Sequence, residues 1–215
     1  MIAPPERSPE RDAAIIAALA HVPEMGWTRR ALRAGLSDIG ASPEDADLLF
    51  PGGASDMVEA FFDLADRRME AAAAKVDLAA RRLPERVRAL IALRLLESRP
   101  HKEAARRALA LMASPRHAGL AARALARTVD AIWHAAGDRA ADFSWYTKRG
   151  ILASVYAATV LFWLGDDSED DAATLAFLDR RLAGVAGIGR LRRRASACAQ
   201  RFLPAGEAEP AEPAT

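Results

Sequence analysis

The residues able to do chemistry are few and scattered. The four histidines, His21, His101, His117 and His134, lie far apart, and no pair has the H-x-x-x-H spacing of a helical metal site. Asp130, His134 and Asp138 recur at i, i+4 and i+8, so one helix face could hold all three if the helix lasts that long. Three such groups can ligate a metal, but more often they form a hydrogen-bonded set at a helix end. The single cysteine, Cys198, excludes an internal disulfide and a cysteine-based zinc site. Its arginine neighbours could lower its pKa, yet a small apolar residue on a helix is the simpler reading. Gly52-Gly53 is not followed by the Gly-Lys-Ser/Thr of a phosphate cradle. There is no Glu-x-x-His pair of the di-iron bundle kind and no serine nucleophile elbow. The expectation is a protein that is not an enzyme and carries no metal or resident cofactor.

Two stretches carry more information. In 130–149, Trp133, Phe143, Trp145 and Tyr146 gather around a loop bearing Gly137, at the mouth of the most apolar segment. Tryptophan and tyrosine at a helix entrance suit a boundary between an apolar interior and water. Lys148 and Arg149 follow and could hold an anionic head group. The plain alternative is that these rings close the core. In 188–203, Ile188, Leu191, Ala195, Cys198 and Phe202 form an apolar stripe, with Arg190, Arg192, Arg193, Arg194 and Arg201 elsewhere on the helix. Gly187 and Gly189 could hinge it. A basic amphipathic helix of this kind can lie on an anionic bilayer, each basic charge being worth on the order of 1 kcal/mol near the surface. A packed terminal helix with a solvated arginine face is the alternative.

The elements that must position these stretches read as helices throughout. Hydrophobic residues make up 51% of the 215 residues and charged residues 27%, enough apolar material for a real core. Alanine is abundant while β-branched and aromatic residues are few, which argues against an all-β fold. Arginine outnumbers lysine 27 to 3, as GC-rich codons would produce, and that tempers the composition argument. The N-terminal residues lack a basic head followed by an apolar stretch, so a reducing cytosol is the expected location, peripheral on the inner membrane if the last helix attaches there. The most apolar run, 150–165, reaches only about 24 Å as a helix against a hydrocarbon core of roughly 30 Å. It reads as a buried helix.

Along the chain, a helix over 11–21 is closed by Pro23 and Gly26. Thr28 caps a second over 29–36, and Ser42 caps a third over 43–49 with Pro43 in its first turn. A long helix follows from Ser55 or Asp56 to Val76, with Met57, Phe61 and Leu64 on its apolar face. Further helices are expected over 84–96, 100–112, 115–136, the apolar helix capped by Ser144 and ending at Leu164, and 172–187. The expected architecture is all-α, about nine or ten helices. A helix-turn-helix-like head occupies 9–53 and an antiparallel helical body 54–187. The amphipathic helix 188–203 and an Ala/Glu/Pro tail, 204–215, read as disordered, complete the chain.

Three short helices before a long fourth is the layout of the tetracycline-repressor architecture. The charge argues against nucleic acid as a partner. Residues 1–66 carry a net charge of −7 and 67–127 a net +10. The third helix offers Glu44, Asp45 and Asp47 and no basic side chain to meet phosphates or base edges. A ligand-responsive transcriptional regulator of the TetR type is the alternative reading.

The sequence also resembles a known family: the accessory lipid-binding proteins of ubiquinone biosynthesis, the ninth member of the CoQ set (CoQ-nine). Asp130-x-x-Trp133-His134-x-Ala136-Gly137-Asp138 and Asp142-Phe143-x-Trp145-Tyr146-Thr147-x-Arg149 match its signature. Pro23-Glu24-x-Gly26-Trp27-Thr28 and Phe177-Leu178-x-x-Arg181 are similar to it as well, and the likeness runs from about residue 11 to 203. Lys148 stands where an arginine is common in the family. The resemblance implies a TetR-like dimer that binds phospholipid or an isoprenoid quinone intermediate and delivers it to the di-iron demethoxyubiquinone hydroxylase, or an equivalent quinone-biosynthesis enzyme, without DNA binding or catalysis of its own. It assigns Arg149, Trp133, Phe143, Leu152 and Tyr156 to lipid. Trp145, Tyr146 and Asp142 fall to the hydroxylase, and Ile188, Leu191, Arg192, Arg193 and Phe202 to an anionic membrane surface.

Overall fold

The structure, a computed structural model, describes residues 3–137 and 144–185. Its helices are α1 (Pro9–Ala18), α2 (Val22–Met25), α3 (Arg29–Asp38), α4 (Ala46–Leu49), α5 (Ala54–Ala73), α6 (Leu83–Ser98), α7 (Lys102–Met112), α8 (Ala118–Ala135) and α9 (Ser144–Leu164). A tenth, α10, is helical over 172–185. Among the described residues there is no strand.

Local chemistry sets these boundaries. Ser8 caps α1 by accepting a hydrogen bond from the Arg11 amide, and Thr28 caps α3 by accepting one from Ala31. The expected single helix over 11–21 ends instead at Ala18. Pro23 does not close it but sits in the first turn of one-turn α2, where proline's missing N–H leaves no bond unmade. Pro43, Pro100 and Pro115 behave alike. Each stands in a 3-10 turn (Pro43–Asp45, Arg99–His101, Pro115–His117) that precedes the α-helix proper, so α4, α7 and α8 start later than the sequence pattern suggests. The long helix α5 starts at Ala54, after Gly53 at a φ of 62°, and stops at Ala73 rather than Val76. Ser144 is the first residue of α9, not its cap.

The head, α1 to α4, packs around Ile15, Leu32, Leu36 and Phe50. Gly35 permits the closest approach: a β-carbon there would lie 2.5 Å from the Ala18 backbone nitrogen, so only glycine lets α3 lie on α1. Polar bonds then tie the head to the body. Buried Arg11 donates to the Leu49 carbonyl and, at 2.6 Å, to Asp56, with its guanidinium 4.2 Å from the Phe50 ring centroid. Arg7 and Arg67 both bond Asp63, and Arg67 also bonds Asp12 at 2.7 Å. Trp27 enters the body, stacking 5.1 Å from Phe61 and donating its indole N–H to the Ala104 carbonyl at 3.0 Å.

The body packs α5 against α6 and α8, and α8 against α9. Met57, Phe61 and Leu64 on α5 are buried as their spacing predicts, as are Val87, Leu90 and Ile91 on α6. The turn into α10 is organised by Asp166. Its carboxylate accepts from the Ser168 amide and from both the amide and hydroxyl of Thr174. Burial opposes the charge, but those hydrogen bonds hold Asp166 well below the usual carboxylate range. Helix 188–203 and tail 204–215 lie outside the described residues. Among the described residues, no helix is long and apolar enough to cross a membrane.

Candidate functional site

Helix α9 is flanked by two apolar cavities. The first, about 240 Å³, lies between the start of α6, the end of α8, the first half of α9 and the end of α10. Trp133, Leu152, Val155, Leu182 and Val185 line it, with Lys148 as its charged member. Trp133 is buried, and its indole nitrogen has no hydrogen-bond partner. The second cavity, about 290 Å³, lies among α5, α7, α8 and α9. Phe62, Met112, Leu125 and Leu161 contribute to its walls, and the polar groups on it are Thr128 and Tyr156.

Behind the second cavity runs a buried polar network. Arg94 donates to Asp66 at 2.8 Å and to Ser98, and the Thr128 hydroxyl bonds the same carboxylate at 2.9 Å. Burial pushes the Asp66 carboxyl up, more than Arg94 and Thr128 pull it down. Burial also works against the Arg94 charge, yet Tyr156 and Asp66 together hold its pKa above the ordinary value. Tyr156 is raised by burial in the same way. Sequence reading passed over this set, although a signal existed. Val87, Leu90, Ile91, Arg94, Leu95 and Ser98 share one helical face, and all are buried. A charge in the middle of an apolar stripe marks a buried pair.

The residues expected to bind lipid therefore divide. Trp133 and Leu152 meet in the first cavity, and Tyr156 lines the second. Arg149 is on neither wall and bonds Asp130 at 2.6 Å, while the adjacent Lys148 is on the first. Asp130 is thus engaged by Arg149 rather than gathered with His134, and Asp138 lies outside the described residues. No group of three or more potential metal ligands forms among the described residues. Of the expected partner contacts, Tyr146 is 75% exposed. Phe143 and Asp142 lie outside the described residues, as does the side chain of Trp145. So do Ile188, Leu191, Arg192, Arg193 and Phe202.

In the head, Asp47 on α4 bonds Arg29 and, at 2.7 Å, Arg33, both from α3. The arginines nearest the would-be recognition helix are thereby paired within the head.

This arrangement of a small helical head on a helical body is the TetR regulator fold. The crystal structure of a TetR transcriptional regulator from Nitrosomonas europaea superposes with a TM-score of 0.68, covering 83% of this chain and 99% of that one at 24% identity. The COQ9 family model matches residues 118–189, from the start of α8 past the last described residue of α10. The mitochondrial ubiquinone biosynthesis protein coq9 of Schizosaccharomyces pombe is 33% identical over 178 residues, 81% of this chain and 69% of that protein. The rat and human COQ9 proteins, also mitochondrial ubiquinone biosynthesis proteins, are 31% and 30% identical over 182 residues. The chain belongs to the COQ9 family. It spans 58% of the rat protein's length and 57% of the human protein's.

Proposed function

We propose that this chain is a non-enzymatic, lipid-binding accessory protein of ubiquinone biosynthesis. It holds a phospholipid or an isoprenoid quinone intermediate in its body and presents it to the di-iron demethoxyubiquinone hydroxylase, or an equivalent enzyme, at an anionic membrane surface. The observation that carries this reading is the cavity lined by Trp133, Leu152, Val155, Leu182 and Val185, because it is built from the stretch the family model matches. A concave, nearly all-apolar site with one charged member suits an amphiphile. Lys148, on the cavity wall, takes the head-group part that the family likeness gives to Arg149, which bonds Asp130. Exposed Tyr146 supplies a ring for the hydroxylase. The basic stripe of 188–203 supplies charge for an anionic membrane surface. A homodimer forms through α9 and α10, where half-exposed Phe162 stacks 4.5 Å from Phe177.

Native mass spectrometry of the chain isolated in mild detergent from its own membranes tests all of this. A dimer carrying phospholipid or quinone is expected, and it binds the hydroxylase until Tyr146→Ala is introduced. A bare protein that takes up no short-chain quinone would overturn the reading. Salt-dependent binding to duplex DNA would favour a ligand-responsive regulator instead.

A further inference from the structure

The second cavity has a feature the first lacks. Its walls are hydrocarbon or thioether except at Thr128 and Tyr156, and those two residues stand where the buried ion pair approaches. The donors there are nearly all committed. Arg94 bonds Asp66, Ser98 and the Phe62 carbonyl, and Thr128 has given its proton to Asp66. Tyr156 feels both Arg94 and Asp66 electrostatically, yet its hydroxyl makes no hydrogen bond among the described residues. A phenol left unpaired in a buried, apolar setting costs roughly 1–3 kcal/mol relative to a paired one. Burial raises its pKa, so it stays a neutral donor at physiological pH. Phenylalanine would fill the same volume without that cost.

We infer that the Tyr156 hydroxyl is the specificity-determining donor of a second ligand cavity, which takes an alkyl- or isoprenyl-substituted benzoquinone with a ring carbonyl on Tyr156 and its hydrocarbon against Phe62, Met112, Leu125 and Leu161. The inference rests on the proposed capacity of the body to hold an apolar ligand. It adds which oxygen chemistry is selected, and by which atom. Discrimination arises because a bare hydrocarbon would leave the hydroxyl unpaired, whereas a carbonyl satisfies it.

The test is calorimetric titration of the full chain and Tyr156→Phe with two probes of equal chain length, a decyl benzoquinone and decylbenzene. The full chain should bind the quinone more tightly. Tyr156→Phe should lose about tenfold in affinity for the quinone, as expected for one buried hydrogen bond, and keep its affinity for decylbenzene. Its unfolding midpoint should not fall, since no protein hydrogen bond is lost. The carbonyl stretch of the bound quinone should sit lower in the full chain than in the variant, a readout that a packing change would not reproduce. Equal quinone affinity in the two proteins would overturn the role of Tyr156 and leave lipid binding intact. Failure of the full chain to bind either probe would overturn lipid binding itself.

Discussion

Trp27 and Trp133 are the same residue in two kinds of interior. Both are buried, and both lie in segments that resemble the family's sequence. Trp27 joins the head to the body with every demand met: its ring packs on Phe61 and its N–H bonds the Ala104 carbonyl. Trp133 lines a cavity and its N–H has no partner. Around Trp27 the acids and bases are matched in pairs, Arg11 with Asp56, Arg7 and Arg67 with Asp63. Around α9 the walls are apolar, space is left, and rings such as Tyr146 face water. A region whose polar groups are satisfied internally is a structural joint, and one that leaves donors and volume unfilled is prepared for something else.

Substitutions can break this contrast. Arg11→Ala should be the most damaging, removing a buried cation from Asp56, the Leu49 carbonyl and the Phe50 ring. Denaturant unfolding should show a loss of about 3 kcal/mol, as for breaking a buried ion pair, and a loss below about 1 kcal/mol would mean the joint does not depend on it. Trp27→Phe and Trp133→Phe make the direct comparison. The first strands the Ala104 carbonyl and should cost at least about 1 kcal/mol more than the second, which gives up no hydrogen bond. Equal losses would erase the distinction. The smallest effect is expected at Asp166, on the α9–α10 side. Folding holds this carboxyl ionised more firmly than the unfolded chain does, so its stabilisation is complete above the ordinary aspartate range near about 3.9 and is lost as pH falls through and below it. Asp166→Asn should therefore cost about 1 kcal/mol near neutrality, with the gap to the unaltered chain closing in acid. A gap that is constant with pH would assign the effect to packing.

How much could be read beforehand follows from the range of the forces involved. Helix identity and burial faces were legible, because Met57, Phe61 and Leu64 report their face by spacing alone. Prolines misled at helix starts, since a 3-10 turn and the first turn of an α-helix accept proline equally well. The aromatic stretch pointed to the right corner of the molecule but could not say which side chains share a cavity. Trp133 and Tyr156 fall on different sides of α9, and that depends on where α6, α7 and α10 lie. Arg149 was read as a head-group ligand because its bond to Asp130 spans 19 positions, beyond any local pattern. Gly35 gave no sign at all, for a close backbone approach shows only in three dimensions.

The Asp66–Arg94 pair has a mechanical consequence. It joins α5 to α6, and Thr128 fastens α8 to the same carboxylate. Sliding any of the three helices by one turn would strand a charge away from water. These three therefore act as a fixed keel, and α5 is also bolted to the head through Asp56 and Asp63. Any yielding needed to admit or release a bulky guest must be borne by α9 and α10, which lean on the keel without being riveted to it.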